Sequence, residues 1–514
     1  MQSASDPRTV LSRIPPLTVA IVACVGLYLL LALPLAFPIQ GYCGDEGFFC
    51  LAARSVASGI KPYRDFLFIQ MPLLAYAYGT WFSIFGVSIT SGRALSVFMT
   101  VCAIACVMMS CRRRAGLSPA VLAGLLWSTS IYTAWDLSLV KTQSLCNVLI
   151  AAALCAIPEP EASRRLARAA LAMGLMSLAF FTRLTLVIPL VLLWLYLAWE
   201  FRRELSGYLL VLVANILLIA LAFAFFWADG NMWFGIYVTH HDFYGAAPWT
   251  WARLGWTVKY SLGNQFVIAT LLLLAAARFC MMLTDRARWQ ELLFPAYCLA
   301  SYIAVTCAHW SQVQSYPTHQ TVLTSFAVMF IALLLAPAIN AIAERYRTPG
   351  LVTFACFVAM SSPFSECGIA PLVGGENKPD WLKQAATILR RHAEPGEELL
   401  SFNLELAVDG KYSVFPGCEL GEWSYFAGVP EEVAEKRRVL NAPRLYAAMR
   451  EEKAPIVTIT DRDFGIMAGG NPEAAKALKS LLDDHYHNVG IVKKYGQFAQ
   501  DLYIFKRLGK NKPE

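Results

Sequence analysis

Charge is what this chain has least of: 15% of its 514 residues are Asp, Glu, Lys or Arg, against 57% that are hydrophobic. So thin a polar covering excludes an ordinary soluble globular enzyme. No pair of cysteines has the spacing of a zinc site, which excludes zinc-finger classes. No Gly-rich phosphate loop follows a strand, which excludes the common nucleotide-binding units. Internal repeats are missing as well, and ionisable residues are sparse at the centres of the apolar runs, two features that carriers use.

What is present is a chain in two unlike parts. Residues after about Cys367 hold 20 of the 43 Lys and Arg, while the stretch before it is built of long apolar runs. The tail balances its 20 basic residues with 21 acidic ones, so the formal charge of +7 comes from the apolar part. That excess belongs to membrane loops, and a nucleic-acid face is not expected. Most of the 14 cysteines, such as Cys102, Cys106, Cys146 and Cys155, sit inside apolar runs, where Cys acts as a small core residue.

A helix needs roughly 20 apolar residues to cross a bilayer. Runs of that kind lie at 16–38, 92–111, 117–135, 138–157, 167–182, 184–200, 207–228, 263–281, 291–308, 320–338 and 349–365. The first follows Arg8 and Arg13, exceeds a signal-peptide core and lacks a small-residue cleavage site, so it reads as a retained helix. Alternate connections carry Arg112 to Arg114, Arg164 with Arg165 and Arg168, Arg202 with Arg203, Arg286 with Arg288, and Arg345 with Arg347. The positive-inside rule makes those loops cytoplasmic. About 11 transmembrane helices with a cytoplasmic N-terminus then put the tail on the opposite side, the periplasmic side of a bacterial inner membrane. Residues 70–85 are read as an amphipathic helix on the outer interface, because counting them as a span would reverse Arg112 to Arg114.

Beyond Pro379 the pattern becomes short β-rich runs at 398–408, 455–460, 489–495 and 501–506, separated by helical stretches at 381–392 and 472–486. Strands alternating with helices predict a soluble α/β domain. The predicted division is a membrane domain over 1–369 and an α/β domain over 370–514.

The chemistry-bearing residues collect in the outer loops. Asp45 and Glu46 stand side by side after the first run, where adjacent carboxylates are costly without a task or a partner. They could instead open a helix over 47–58 and favour its dipole. Further along come Gly59-Ile60-Lys61-Pro62-Tyr63-Arg64-Asp65-Phe66, then Pro72-Leu73, then Phe85-Gly86 before Arg93. These elements resemble the first loop of the GT-C superfamily of lipid-dependent glycosyltransferases, above all the family 39 group of protein O-mannosyltransferases and the lipid A aminoarabinose transferase. Asp136, Thr182-Arg183 and Tyr316-Pro317-Thr318-His319 extend a more general likeness across about the first 340 residues.

The resemblance implies a membrane-embedded transferase that takes a sugar from a polyprenyl-phosphate donor and passes it, with inversion, to a lipid, glycan or protein acceptor. By position, Asp45 looks like the general base on the acceptor hydroxyl, with Glu46 orienting it or helping to hold a possible divalent cation. The departing phosphate needs fixed positive charge, for which Lys61, Arg64, Arg183 and His319 are candidates. Many relatives carry a Lys before the Pro at position 72, where this chain has Met71.

Other residues have two readings. Asp136 could line the site or cap a helix starting at Leu137, and Arg183 could bind donor or mark a turn and reach for headgroups. His240, His241 and Asp242 invite a metal reading, although neighbours on a strand point opposite ways and no third ligand is placed; a donor or acceptor role is the other reading. Cys43 with Cys50, and Cys367 with Cys418, are possible disulfides on the oxidising side. Two other functional classes stay open: a transporter or flippase of lipid-linked sugars, and a noncatalytic membrane scaffold.

Overall fold

A computed structural model describes residues 15–39, 44–243, 250–252, 254–255, 258–259, 265–311, 317–365, 380–451, 453–496 and 499–508. The membrane part runs α1 (Pro16–Pro34), α2 (Gly44–Ala57), α3 (Leu73–Phe85), α4 (Ile89–Ala115), α5 (Leu117–Ser128), α6 (Ile131–Asp136), α7 (Thr142–Ala156), α8 (Arg165–Phe180), α9 (Val187–Glu200), α10 (Leu205–Phe226), α11 (Phe266–Leu283), α12 (Trp289–Trp310) and α13 (Thr324–Ser365). A π-helical stretch, Phe234–Phe243, precedes α11, and a 3-10 stretch, Pro317–Leu323, precedes α13. This is a multi-pass membrane protein: among the described residues five helices are apolar and long enough to cross a bilayer, and α3, α5, α7, α9 and α11 are shorter apolar ones.

The structure redraws several expected boundaries. The run 117–135 breaks at Thr129 and Ser130 into α5 and α6, because the Ser130 hydroxyl accepts from the Thr133 N–H and starts a new helix. Short helices are tolerated at membrane depth where protein surrounds them, and Leu122, Leu126 and Trp127 of α5 are all buried. The runs 320–338 and 349–365, expected as two spans with a turn at Arg345 to Arg347, form the single helix α13. Arg is a good helix former, and only Thr348-Pro349-Gly350 interrupts the pattern.

Helix α4 is the hub, packing against α1, α5, α7 and α13. Small residues permit this, since without water the helices associate by close packing. A Cβ on Gly124 would stand 2.6 Å from Met108 Sδ and 2.7 Å from Cys24 Sγ, so where α1, α4 and α5 meet a larger residue would have to displace those side chains. Buried side-chain bonds add register. Asn215 of α10 donates to Ser177 of α8 at 3.0 Å and accepts from Trp194 of α9 at 3.2 Å. The outer face of α10 is left to lipid, with Leu210 72% and Phe225 70% exposed.

The tail is an α/β domain: α14 (Asp380–His392), β1 (Glu398–Ser401), α15 (Leu404–Gly410), β2 (Ser413–Val414), α16 (Glu431–Arg437), α17 (Ala442–Arg450), β3 (Ile456–Thr460), α18 (Asp461–Met467), α19 (Pro472–His485), β4 (Tyr486–Tyr495) and β5 (Gln500–Arg507). Its sheet has the order β2-β1-β3-β5-β4, parallel among the first three strands and antiparallel thereafter. Trp381, Ala385 and Leu389 of α14, spaced four apart, cover one face, while Leu445, Met449, Leu478 and Leu482 of α17 and α19 cover the other. The expected strand 398–408 is strand only to Ser401; the remainder is α15. The expected boundary at 369/370 lies outside the described residues.

The tail is seated directly on α2. Leu404, Val408, Leu420 and Phe426 belong to the same continuous core as the membrane helices. Arg54 of α2 donates to the carbonyls of Ala407 at 2.7 Å and Tyr412 at 2.8 Å, and Asp409 accepts from the N–H of Ile89, the first residue of α4. A Cβ on Gly47 would lie 2.8 Å from the Glu405 nitrogen, so α2 approaches α15 at backbone distance.

Burial pushes the Glu405 carboxyl up to about 7; Asp463 and Glu46 add repulsion, and the Tyr495 hydroxyl, donating at 2.7 Å, opposes it. Glu419, also pushed by burial to about 7, behaves alike. Each group is protonated in the folded chain and ionised in the unfolded one between about 4.5 and 7, so its stabilising contribution is complete below that window and lost as pH rises through it. At about 1.4 kcal/mol per unit, Glu405 accounts for about 3 kcal/mol. Melting of the detergent-solubilised protein is expected to fall from pH 5 to 8, and Glu405→Gln to flatten part of that slope. An unchanged slope in the variant would remove Glu405 from the account.

Candidate active site

Asp45 and Glu46 occupy the first turn of α2, and the fold treats them differently. Glu46 is fully buried. Its Oε1 accepts from Arg93 Nε at 2.8 Å and from the N–H of Val140 at 3.1 Å, and its Oε2 accepts from Arg93 Nη2 at 2.5 Å. Arg93 Nη1 donates to the carbonyl of Ala36 at 2.8 Å. One forked ion pair therefore joins the end of the first helix, α2, α4 and the connection before α7. Asp45, one residue earlier, is half-buried, and among the described residues nothing hydrogen-bonds its carboxylate. Glu46 is spent on Arg93, so the two carboxylates do not fit a shared cation. Among the described residues no three His, Cys, Asp or Glu gather into a metal site.

Asp45 lies in the electrostatic field of Asp136 and Arg183. Asp136 ends α6, is fully buried, and does not cap the following helix; its Oδ2 accepts from the Thr321 hydroxyl and Lys141 Nζ stands 3.8 Å from its Oδ1. Burial raises the Asp136 carboxyl, and Lys141, Thr321 and Arg183 draw it back. Arg183, at the turn between α8 and α9, donates to Thr142 Oγ1 at 3.2 Å. Asn147 of α7 fixes the neighbouring 3-10 stretch by donating to the Thr321 carbonyl at 2.6 Å. The rings of His309 and His319 stand 5.3 Å apart in the same region.

The other expected residues differ in setting, and His240 lies, like Asp45, in the electrostatic field of Arg183. Lys61 and Arg64 are exposed and belong to a loop that closes on Asp65, whose carboxylate accepts from the Lys61 N–H at 2.8 Å and from Arg64 Nε at 3.1 Å. Those bonds hold Asp65 below the usual carboxylate range despite the opposing effect of burial. His240 donates from Nε2 to the Ile69 carbonyl at 2.9 Å. His241 is exposed and stacks on Tyr237, itself stacked on Trp233. The side chain of Asp242 and the whole of Tyr316 lie outside the described residues, as do Cys43 and Cys367; Cys50 and Cys418 are buried free thiols.

Sequence reasoning passed over Lys141, 4% exposed, and His309, fully buried. The available signal was an ionisable residue at the edge of an apolar run, which is costly unless used. It also left the tail unread, yet Glu422 of the tail feels the charge of Asp45 and is held by Arg462 through bonds of 2.8 and 2.9 Å. The tail roofs the site.

No protein-family model matches the sequence, and no curated protein matches it. Among solved structures, ArnT from Cupriavidus metallidurans in the apo state aligns over 95% of this chain and 98% of that one, with a TM-score of 0.62 at 13% identity. The same protein bound to undecaprenyl phosphate aligns over 95% and 97%, again with a TM-score of 0.62 at 13% identity. The Archaeoglobus fulgidus oligosaccharyltransferase tethered with an acceptor peptide aligns over 92% of this chain and 72% of that one, with a TM-score of 0.48 at 13% identity. The near-complete mutual coverage by ArnT, tail included, establishes that this chain shares its overall fold with ArnT.

Proposed function

We propose that the protein is a membrane glycosyltransferase that moves a sugar from a polyprenyl-phosphate donor to a hydroxyl-bearing acceptor on the face carrying the tail, with inversion. The observation that carries this is the division of labour in the acidic pair: Glu46 is locked to Arg93, while Asp45 beside it keeps an uncommitted carboxylate within the electrostatic reach of Arg183 and Asp136. The ArnT structure bound to undecaprenyl phosphate supports a lipid-phosphate ligand for a chain of this fold.

In this reading the acceptor oxygen attacks the anomeric carbon as Asp45 takes its proton. The bond from that carbon to the phosphate oxygen breaks on the opposite face, and its electron pair leaves with the lipid phosphate. Arg183 and Lys141 supply the fixed positive charge that this leaving group needs, in place of a Lys at Met71. Asp136 restrains both cations and keeps them aimed. The acceptor enters under the tail.

The test is incubation of the purified protein with labelled polyprenyl-phosphate sugars and a membrane extract: label should pass to a new product, and label that merely crosses a vesicle bilayer unchanged would favour a transporter. Neither transfer nor movement would leave a scaffold.

Orientation belongs to the same proposal. The tail sits on α2 at one end of α4, and Arg112 to Arg114 lie at the other, roughly 35 Å along the helix. A reporter fused after Glu514 should be active only when exported; cytoplasmic activity there would overturn the placement.

A further inference from the structure

A pair of thiols lies toward the end of α4 away from the tail, far from the chemistry proposed above. Cys106 of α4 and Cys155 of α7 are both partly exposed, although their place in apolar runs assigns them to the core. Both are free thiols, and their side chains hydrogen-bond each other across the two helices. The helices are pinned beside them: Ser110, one turn on from Cys106, donates to the carbonyl of Leu154 at 3.2 Å. Cys155 also has charged company. Arg113 Nη2 donates to its Sγ at 3.4 Å and also to its carbonyl, and Arg168 Nη2 donates to the same carbonyl at 3.3 Å. Glu159 holds both guanidiniums in place, at 3.1 Å from Arg113 Nε and 2.8 Å from Arg168 Nη1.

A cysteine sealed in apolar surroundings is inert, whereas an accessible one beside positive charge and next to a second thiol has the make-up of an oxidation-sensitive site. We propose that Cys106 and Cys155 form a peroxide-reactive dithiol, with Cys155 as the attacking sulfur and Cys106 as the resolving one. The Cys155 thiolate attacks one oxygen of hydrogen peroxide. The O–O bond breaks, hydroxide leaves and is protonated to water, and Cys155 becomes a sulfenic acid. Cys106 then attacks that sulfur and gives up its proton; the S–S bond forms, the S–O bond breaks, and the second oxygen leaves as water. Two electrons pass from the pair of sulfurs to the peroxide. The resulting bond staples α4, which carries Arg93, to α7, whose Asn147 holds the 3-10 stretch. In the orientation proposed above this end faces the cytoplasm, where thiols stay reduced until an oxidant arrives.

The experiment treats the full-length protein in detergent with a small molar excess of hydrogen peroxide and maps its cysteines by mass spectrometry. A disulfide joining the Cys106 and Cys155 peptides is expected before Cys280 and Cys307 are oxidised, although those two are the more exposed, and dithiothreitol should reverse it. Cys106→Ser should accumulate the sulfenic acid at Cys155, trapped with dimedone, and Cys155→Ser should leave Cys106 reduced. Arg113→Gln should slow the oxidation of Cys155 by about threefold or more, and Arg113→Lys should keep most of the rate, since the charge is what favours the thiolate. Three results overturn the proposal: oxidation of Cys280 or Cys307 while the pair stays reduced, oxidation of Cys155 with no link to Cys106, or a wild-type rate in Arg113→Gln. The first two are read on the wild-type protein and decide the matter even if a variant fails to fold.

Discussion

Asp45→Asn is expected to lower transfer on the order of 10²–10⁴-fold, the usual contribution of a positioned general base, with membrane abundance and folding unchanged. Asparagine keeps the size and one acceptor of the side chain but takes no proton. Because Asp45 is half-buried and no described residue hydrogen-bonds its carboxylate, the substitution breaks no described hydrogen bond, and the expected loss is one of proton transfer. The measurement is turnover at equal protein and saturating donor. Near wild-type turnover would dismiss Asp45 as the base and leave only a helix-start role for the acidic pair.

Arg93→Leu should be the most destabilising single change near the site, costing about 3–5 kcal/mol, because it strands the Glu46 carboxylate without a partner in a fully buried position. Activity should fall with it, since the same ion pair seats the first turn of α2 and thereby Asp45. Arg93→Lys restores the charge but not the two-pronged geometry, and should recover stability only in part. Replacing both partners by Leu and Met should cost less than Arg93→Leu alone, as the orphaned charge is gone. Thermal unfolding in detergent reads all four proteins. If Arg93→Leu melts with the wild type, the ion pair is not what holds α2 in place.

The first outer loop was legible because its chemistry is local. The Asp45-Glu46 pair and the elements around Tyr63 and Pro72 follow one another in sequence, and adjacent carboxylates beside an apolar run carry their own energetic warning. The roles within the pair were not legible: neighbouring side chains on a helix turn about 100° apart, and only packing decides which meets Arg93, 47 residues away. For the same reason Lys61 and Arg64, close to the acidic pair in sequence, close on Asp65 in an exposed loop, while Lys141 and Arg183 reach the site from distant turns.

By itself the sequence determined the partition into an apolar helical part and an α/β tail, since burial of apolar surface and backbone hydrogen bonding act over windows of about 20 residues or fewer. It determined β3, β4 and β5 to within a few residues and most of the membrane helices to within a turn. Where the helices break was left to the fold, because a Ser or a Pro stops a helix only if its surroundings supply other partners; Ser130 ends α5, and Pro349 leaves α13 continuous. The seat of the tail was likewise invisible, since Arg54, Gly47 and Asp409 carry no pattern until α15 and the start of α4 stand beside them. Contacts across hundreds of residues leave no periodic trace in a chain, so tertiary structure alone closed the site, with Thr321 bonded to Asp136 and the tail seated on α2.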